Sequence, residues 1–558
     1  MGKWTVSLAA GLLALNGLLL VAHWIFPPPG GAPWIALESG LLAGLAWLVP
    51  PGRRALRLAV AGSAATAAVA LSLLALADAA TWVIFARPVN LYLDLPLTVS
   101  ARDLLTGMLG GPLALLTILL AVLAVLAVTA VLATLLRWAC PPRAPDAGVH
   151  FLPGRRDRRR WVEILGGSAL VLPMLAALLL PRAPLSGSLT AVPRIGVPAV
   201  QLVLAQSVRL AETLHEEDVF AELLASSPSG YGELPGLFER LGDRDVVLAF
   251  IESYGVSAID DPRYAPVIAP RLESFGRRME AAGLALASGT LVAPTQGGQS
   301  WFSHGSLLSG LWLDNQLRYD LMLGSGRETL IDDFRSAGYE TVALVPAITF
   351  PWPEGGRLRY DRIFARGDIP YAGPPLNWVT MPDQFSWHFL ERKIRGGGED
   401  GASGRRPVFV EASLISSHAP WTPILPVLED WESIGDGRVF DRWAGAGERP
   451  EELWLDQERV REHFALSVDY ALAAMAAYAE RYADEQLLLI VLGDHQPAPL
   501  ITGEGASWEV PVHVISGDAA LVEPFVAWGF ERGPVPGRLH PERGMDRFRD
   551  WFVRAYSR

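Results

Sequence analysis

The chain has 558 residues, more than one ordinary domain, and 51% of them are hydrophobic against 19% charged, a balance too apolar for a purely soluble protein. A formal net charge of −12, with basic residues crowded into one short segment only, excludes nucleic acid as a partner. The single cysteine, Cys140, can form no internal disulfide and no Cys-x-x-Cys metal site, so any metal must be held by oxygen and imidazole.

The apolar residues concentrate in the first third. Residues 6–26 form a run long enough to cross a bilayer, which takes roughly 20 residues. Lys3 precedes this run and no small-residue cleavage site follows, the pattern of an anchor rather than a removed signal peptide. Further spans are expected at 33–49, 58–82, 113–136 and 161–180, five in all. Lys3, the group Arg53, Arg54 and Arg57, and the group Arg155, Arg156, Arg158, Arg159 and Arg160 fall on alternate connections. Between them, 27–32 holds no basic residue and 90–104 only Arg102. Positive charge marks the cytoplasmic side, which puts the amino terminus inside and everything after Leu180 outside. Cys140 then lies at the cytoplasmic end of the fourth span. The outer loop 82–102, with Arg87, Asn90 and Asp94 among aromatic residues, reads as a re-entry turn.

From 182 to 244 the chain is rich in Pro, Ser and Gly, a linker with one helical stretch at 198–216. Pro198 suits a first helical position. The polar face carries Arg209, Glu212 and Glu216 rather than a basic stripe, which favours packing on protein over lying on lipid. The expected organisation is a five-helix transmembrane domain at 1–181, the linker at 182–244 and an outer domain at 245–558.

In the outer domain strands at 246–251, 341–345, 408–412, 487–492 and 510–515 alternate with helices at 270–282, 300–310, 328–337 and 459–481. Such alternation predicts an α/β fold, with right-handed crossovers and a mainly parallel central sheet covered by helices on both faces. The six apolar residues at 487–492 have the pattern of a strand buried on both faces. A closing amphipathic helix is expected at 545–556, and His463 and His513 read as structural.

Open α/β sheets place their chemistry beyond the carboxyl ends of the strands. Three of these ends deliver metal-ligand types: Glu252, then His418 in Ser416-Ser417-His418-Ala419-Pro420, then the pair Asp494-His495 before Gln496-Pro497. The turn Gly297-Gly298-Gln299-Ser300 feeds a helix, so its backbone N–H groups face an incoming anion. Ser300 is either a nucleophile beside a divalent cation or a helix N-cap. Aromatic and turn residues at 371–374 and 377–384 either line a substrate channel or pack on themselves.

In order along the chain, Glu252 after a first strand, Gly-Gly-x-Ser at 297–300, Ser-x-His-x-Pro at 416–420 and Gly-Asp-His at 493–495 resemble the alkaline phosphatase superfamily. Within it, the likeness is to the sulfatase-like membrane enzymes typified by lipoteichoic acid synthase and related phosphoglycerol transferases. That resemblance implies transmembrane helices followed by an extracytoplasmic, sulfatase-like α/β domain in a bacterial-type inner membrane. It implies Glu252, Ser300, Asp494 and His495 as metal ligands, with Ser300 as nucleophile where the family has Thr. It implies His418 in the substrate pocket, with Trp352 and His304 as further substrate contacts. The cofactor would be a divalent metal, Mn2+ with Mg2+ or Zn2+ as alternatives. The partners would be a phospholipid donor and an envelope glycan or lipid acceptor, and the activity a transfer or hydrolysis of a phosphate-containing group through a covalent Ser intermediate.

Besides serine for threonine at 300, the chain departs from the family pattern in two places. No acidic residue follows the nucleophile, although His304 lies nearby, and the arginine expected after the tryptophan element is missing unless Arg357 or Arg359 substitutes. Ser300-Trp301-Phe302-Ser303-His304 also lacks the Cys/Ser-x-Pro/Ala-x-Arg pattern from which sulfatases make formylglycine, so phosphoryl transfer is preferred to sulfuric ester hydrolysis. A phosphatase, or a non-catalytic membrane protein retaining the fold, are the other readings.

Overall fold

The computed structural model describes residues 3–27, 31–49, 53–95, 97–138, 195–226, 230–396 and 405–558. The chain divides into two compact units, one of Met1–Trp82 with Arg87–His215 and one of Val83–Ala86 with Glu216–Arg558.

Three helices among the described residues are long and apolar enough to cross a membrane: Val6–Ile25, Arg54–Phe85 and Gly111–Trp138. Five were expected. The stretch at 33–49 instead forms the 12-residue helix Leu37–Leu48, about 18 Å long at 1.5 Å per residue against a hydrocarbon core of about 30 Å. Its first residues are spent elsewhere. Ile35–Ala36 (β1) pairs in parallel with Ile195–Gly196 (β2), and the Asn16 side chain bonds Trp34 and Ala36 on either side. The expected span at 161–180, the arginines of 155–160 and Cys140 lie outside the described residues.

The helical stretch beginning at Pro198 runs to Ser226, and its polar face packs on the loop that follows residue 86. Gln206 and Arg209 donate to the Val89 carbonyl at 2.8 and 3.1 Å, and Asn90 donates to Thr213 at 2.8 Å. A bidentate Arg87–Asp94 pair holds that loop in shape.

The second unit is built on an eight-stranded sheet in the order β10-β4-β9-β8-β3-β7-β5-β6. The strands are β3 Asp245–Ile251, β4 Ala285–Val292, β5 Glu340–Val345, β6 Arg362–Ala365, β7 Val408–Leu414, β8 Leu487–Gly493, β9 Glu509–Ser516 and β10 Glu531–Arg532. The sheet is mixed, which corrects the expectation of a mainly parallel one. β8, β3, β7, β5 and β6 pair in parallel, whereas β9 lies antiparallel to both β8 and β4, and β10 antiparallel to β4. The reason lies in the connection after β8. It holds one helical turn, Pro499–Thr502, and no crossover helix that could return the chain to run parallel.

β8 and β3 are buried along their whole lengths, and alternate residues feed two cores. Val247, Ala249, Leu489 and Val491 pack with helices Ala265–Ala281 and Gln457–Tyr482 on one face. Val246, Leu248, Leu488 and Ile490 pack with Trp301–Ser309, Ala519–Trp528 and Phe548–Tyr556 on the other. Each buried Val, Leu or Ile side chain contributes roughly 1.5–3 kcal/mol relative to exposure, so the central strands are firmly held. Their carboxyl ends are accordingly rigid platforms.

Candidate active site

The register of the three central strands decides which side chains meet. Ile251 of β3 is level with Gly493 of β8 and with Leu414 of β7, so the chain leaves all three strands at one height. The next residues on β3 and β8 are Glu252 and Asp494, side by side. Glu252, Asp494 and His495 each place one ligand atom within 4.8 Å of the others. His495 Nε2 stands 3.5 Å from Glu252 Oε1 and 3.7 Å from Asp494 Oδ2.

This corner has the chemistry of a cation site. His495 Nδ1 lies 2.8 Å from the Gln496 carbonyl, which can only accept, so Nδ1 carries the hydrogen and Nε2 presents a lone pair. Nε2 is buried without a hydrogen-bond partner, and it faces two carboxyl groups. A backbone carbonyl orienting the far nitrogen is the usual support of a metal-bound imidazole. Two oxygens and one imidazole suit Mn2+ or Zn2+, and Mg2+ less well. The residues therefore fit the divalent metal.

The electrostatics are those of crowded charge. Burial pushes the Asp494 carboxyl well above the ordinary range and the Glu252 charge adds to it, against the His304 imidazole and the amides of Ser253 and His495. Burial acts upward on Glu252 too, but His418, His495 and the hydrogen bonds of Ser253 and Asp494 outweigh it and hold that carboxyl low. Ser253 joins the two acids. Its amide donates to Asp494 Oδ1 at 2.7 Å and its hydroxyl to Glu252 Oε1 at 2.8 Å. To do so it adopts φ +56°, a left-handed conformation that non-glycine residues populate sparsely.

Ser300 follows β4 in the chain. Two successive antiparallel pairings make β4 run in the same direction as β8, so its carboxyl end also faces this edge. The following loop crosses β9 and bonds the loop after β8: Gln296 bridges Gln496, and the Gly297 amide donates to the Gln496 carbonyl at 2.8 Å. Gly297, Gly298 and Gln299 then turn with φ of +75°, +142° and +63°, which is why glycines stand there. Ser300 sits at the N-cap of Trp301–Ser309, but its side chain makes no capping hydrogen bond. The N-cap reading is thus met in position and not in chemistry, and the hydroxyl is left for other work.

His418 follows β7 and stacks on Trp378 with ring centroids 4.0 Å apart, while Ser417 ties its loop to the Glu252 carbonyl. The segment around 377–384 therefore does touch the site through Trp378. His304 stacks on Phe250 at 3.8 Å and bonds Glu411 at 2.6 Å. Trp352 lies further along the edge, after β5, where its ring covers Gly355 and packs on the apolar core. Arg359, one of the two candidate substitutes for the missing arginine, is taken by a bidentate pair with Asp332.

Sequence reasoning missed Ser253, Gln496, Glu411 and Asp383. Asp383 is fully buried and accepts the amides of Ile415 and Ser416 at 2.8 and 2.9 Å, which pins the loop leading to His418. A charged residue inside an apolar strand, Glu411 in Val408–Leu414, was the one signal available for any of them.

No family model and no curated protein matches the chain. Among solved structures it is similar to the lipoteichoic acid synthase LtaP from Listeria monocytogenes, with 10% identity over 53% of this chain and 70% of that one and a TM-score of 0.31. It is similar to the phosphoglycerol transferase GacH of Streptococcus pyogenes, solved with sn-glycerol-1-phosphate, with 12% identity over 55% and 74% and a TM-score of 0.34. An alkaline phosphatase superfamily protein from Vibrio parahaemolyticus matches with 13% identity over 55% and 69% and a TM-score of 0.31.

Proposed function

We propose that this protein is a membrane-anchored, metal-dependent transferase or hydrolase that moves a phosphate-containing group of the phosphoglycerol or phosphoethanolamine type from a phospholipid to an envelope glycan or lipid acceptor. The observation that carries the reading is the buried, unpartnered Nε2 of His495 facing Glu252 and Asp494, tied through the Gln496 carbonyl to the turn that presents Ser300. Glu252, Asp494, His495 and Ser300 would hold the cation, most economically Mn2+. When bound it would supply positive charge for the phosphoryl oxygens and lower the pKa of the serine hydroxyl.

The chain's own residues do the rest. Ser300 Oγ attacks phosphorus and the bond to the lipid alkoxide breaks, leaving the headgroup phosphate on the serine. A hydroxyl of the acceptor, or water, then displaces Ser300 and carries the group away. The helix start behind Ser300 offers backbone N–H groups to the charge that develops. His418, stacked on Trp378, borders the pocket for the transferred group. The arginines on alternate connections support an extracytoplasmic site at an inner membrane, where the anchor would raise the effective concentration of a lipid donor.

The test is mass spectrometry of Ser300 after incubation with mixed phospholipid vesicles. A phosphoglycerol or phosphoethanolamine adduct is expected, absent from Ser300→Ala. Undiminished turnover in Ser300→Ala would remove the assignment.

A further inference from the structure

The helix Trp301–Ser309 carries a second chemical group one turn beyond Ser300. Ser300 already has helical angles, φ −49° and ψ −28°, and the His304 amide donates to its carbonyl at 3.1 Å. The two side chains therefore stand four positions apart on one helix face. Helical side chains lean toward the helix start, which carries the His304 ring over the turn that begins at Ser300.

The ring is clamped from two strands. Phe250, the penultimate residue of β3, stacks on it at 3.8 Å, and Glu411 of β7 bonds Nδ1 at 2.6 Å. Glu411 is buried, and its other oxygen meets the Tyr360 hydroxyl. A carboxylate only accepts, so Nδ1 carries the hydrogen and Nε2 is the free working atom. Serine, imidazole and an orienting buried carboxylate are the parts that activate a hydroxyl nucleophile on many unrelated folds.

We propose that His304 is the proton acceptor for Ser300, with Glu411 as its positioning residue. This rests on the phosphoryl-transfer reading above. In the first half-reaction the Ser300 proton passes to His304 Nε2, Oγ bonds phosphorus, and the departing lipid alkoxide takes its proton from water. In the second, the acceptor hydroxyl attacks phosphorus and gives its proton to water. The Oγ–P bond then breaks and the imidazolium returns its proton to Ser300.

The test follows the Ser300 peptide by mass against time, with the full chain on equimolar phosphatidylglycerol and phosphatidylethanolamine vesicles. His304→Ala is expected to form the adduct about 10²–10⁴-fold more slowly, with bound divalent metal, counted by elemental analysis, at the wild-type level. Added imidazole is expected to restore part of the rate to His304→Ala and none to Ser300→Ala. Glu411→Gln, close to isosteric, is expected to slow the adduct about tenfold or more with KM unchanged. Adduct formation at the wild-type rate in His304→Ala, or a deficit that imidazole leaves untouched, overturns the relay and leaves the Ser300 nucleophile standing. A wild type that forms no adduct overturns both. Should His304→Ala fail to fold, Glu411→Gln decides, and a wild-type rate there overturns the relay.

Discussion

The amide of Gly297 donates to the carbonyl of Gln496 at 2.8 Å, and the same oxygen accepts the Nδ1 hydrogen of His495. One backbone group thus sets both the turn that presents Ser300 and the ring that presents Nε2 to the cation corner. The loops of Ser300 and His495 are coupled through it.

Gly297→Ala tests that coupling. At φ +75° a Cβ is strained, and it would overlap the Ile84 backbone carbonyl. The variant is expected to lose about 1–3 kcal/mol of stability and, with the turn displaced, most of its Ser300 adduct. Denaturant midpoints and adduct mass measure the two; an unchanged adduct rate would show that this turn does not position the serine.

Removal of the metal should be visible in stability as well as in activity. A ligand held at about 100 times its Kd stabilises the folded state by about 2.7 kcal/mol. Thermal unfolding in detergent is therefore expected to shift down with a chelator and back up with Mn2+. His495→Ala and Glu252→Gln should show neither shift. A chelator response that survives in both variants would place the metal elsewhere.

Asp383 makes a pH prediction. Burial pushes its carboxyl from 3.8 to about 6, against the hydrogen bonds from Ser416 and Ile415. The folded chain therefore holds this proton more tightly than the unfolded chain. The contribution to stability is fully present below pH 3.8 and is lost as pH rises through about 6, because the unfolded state releases its proton first. Asp383→Asn, neutral throughout, is expected to be flat across that window and to gain on the wild type above it. Urea midpoints over a pH series would show this, and parallel curves would count against it.

Orientation can be read from the chain's single cysteine. In intact cells, an impermeant maleimide is expected to leave Cys140 unlabelled. It should label Leu455→Cys in a Cys140→Ser background, since Leu455 is 87% exposed. The reverse labelling would invert the membrane reading.

Much of this was legible in the sequence, and the reason is the same each time. A strand buried on both faces needs an unbroken apolar run, so β8 at Leu487–Gly493 announces itself, and chemistry at its end follows in the next residues. Three membrane-length helices are equally plain, because lipid demands length and apolarity from each segment on its own. The second expected span was over-read because its first residues answer to Ile195 and Gly196, a pairing that no local pattern records.

What only the tertiary structure decided depends on partners far away along the chain. β4, Ala-Leu-Ala-Ser-Gly-Thr-Leu-Val, is too small and mixed to signal a strand; it becomes one by pairing with β9. His304 and Glu411 are 107 positions apart, and nothing local to either names the other. The sequence by itself determined which residues are candidates for the chemistry, since ligand and nucleophile types at strand ends are local facts. Which of them face one another was decided by strand register and by a single carbonyl shared between two loops, because hydrogen bonds between loops are specified by the fold that brings their ends together.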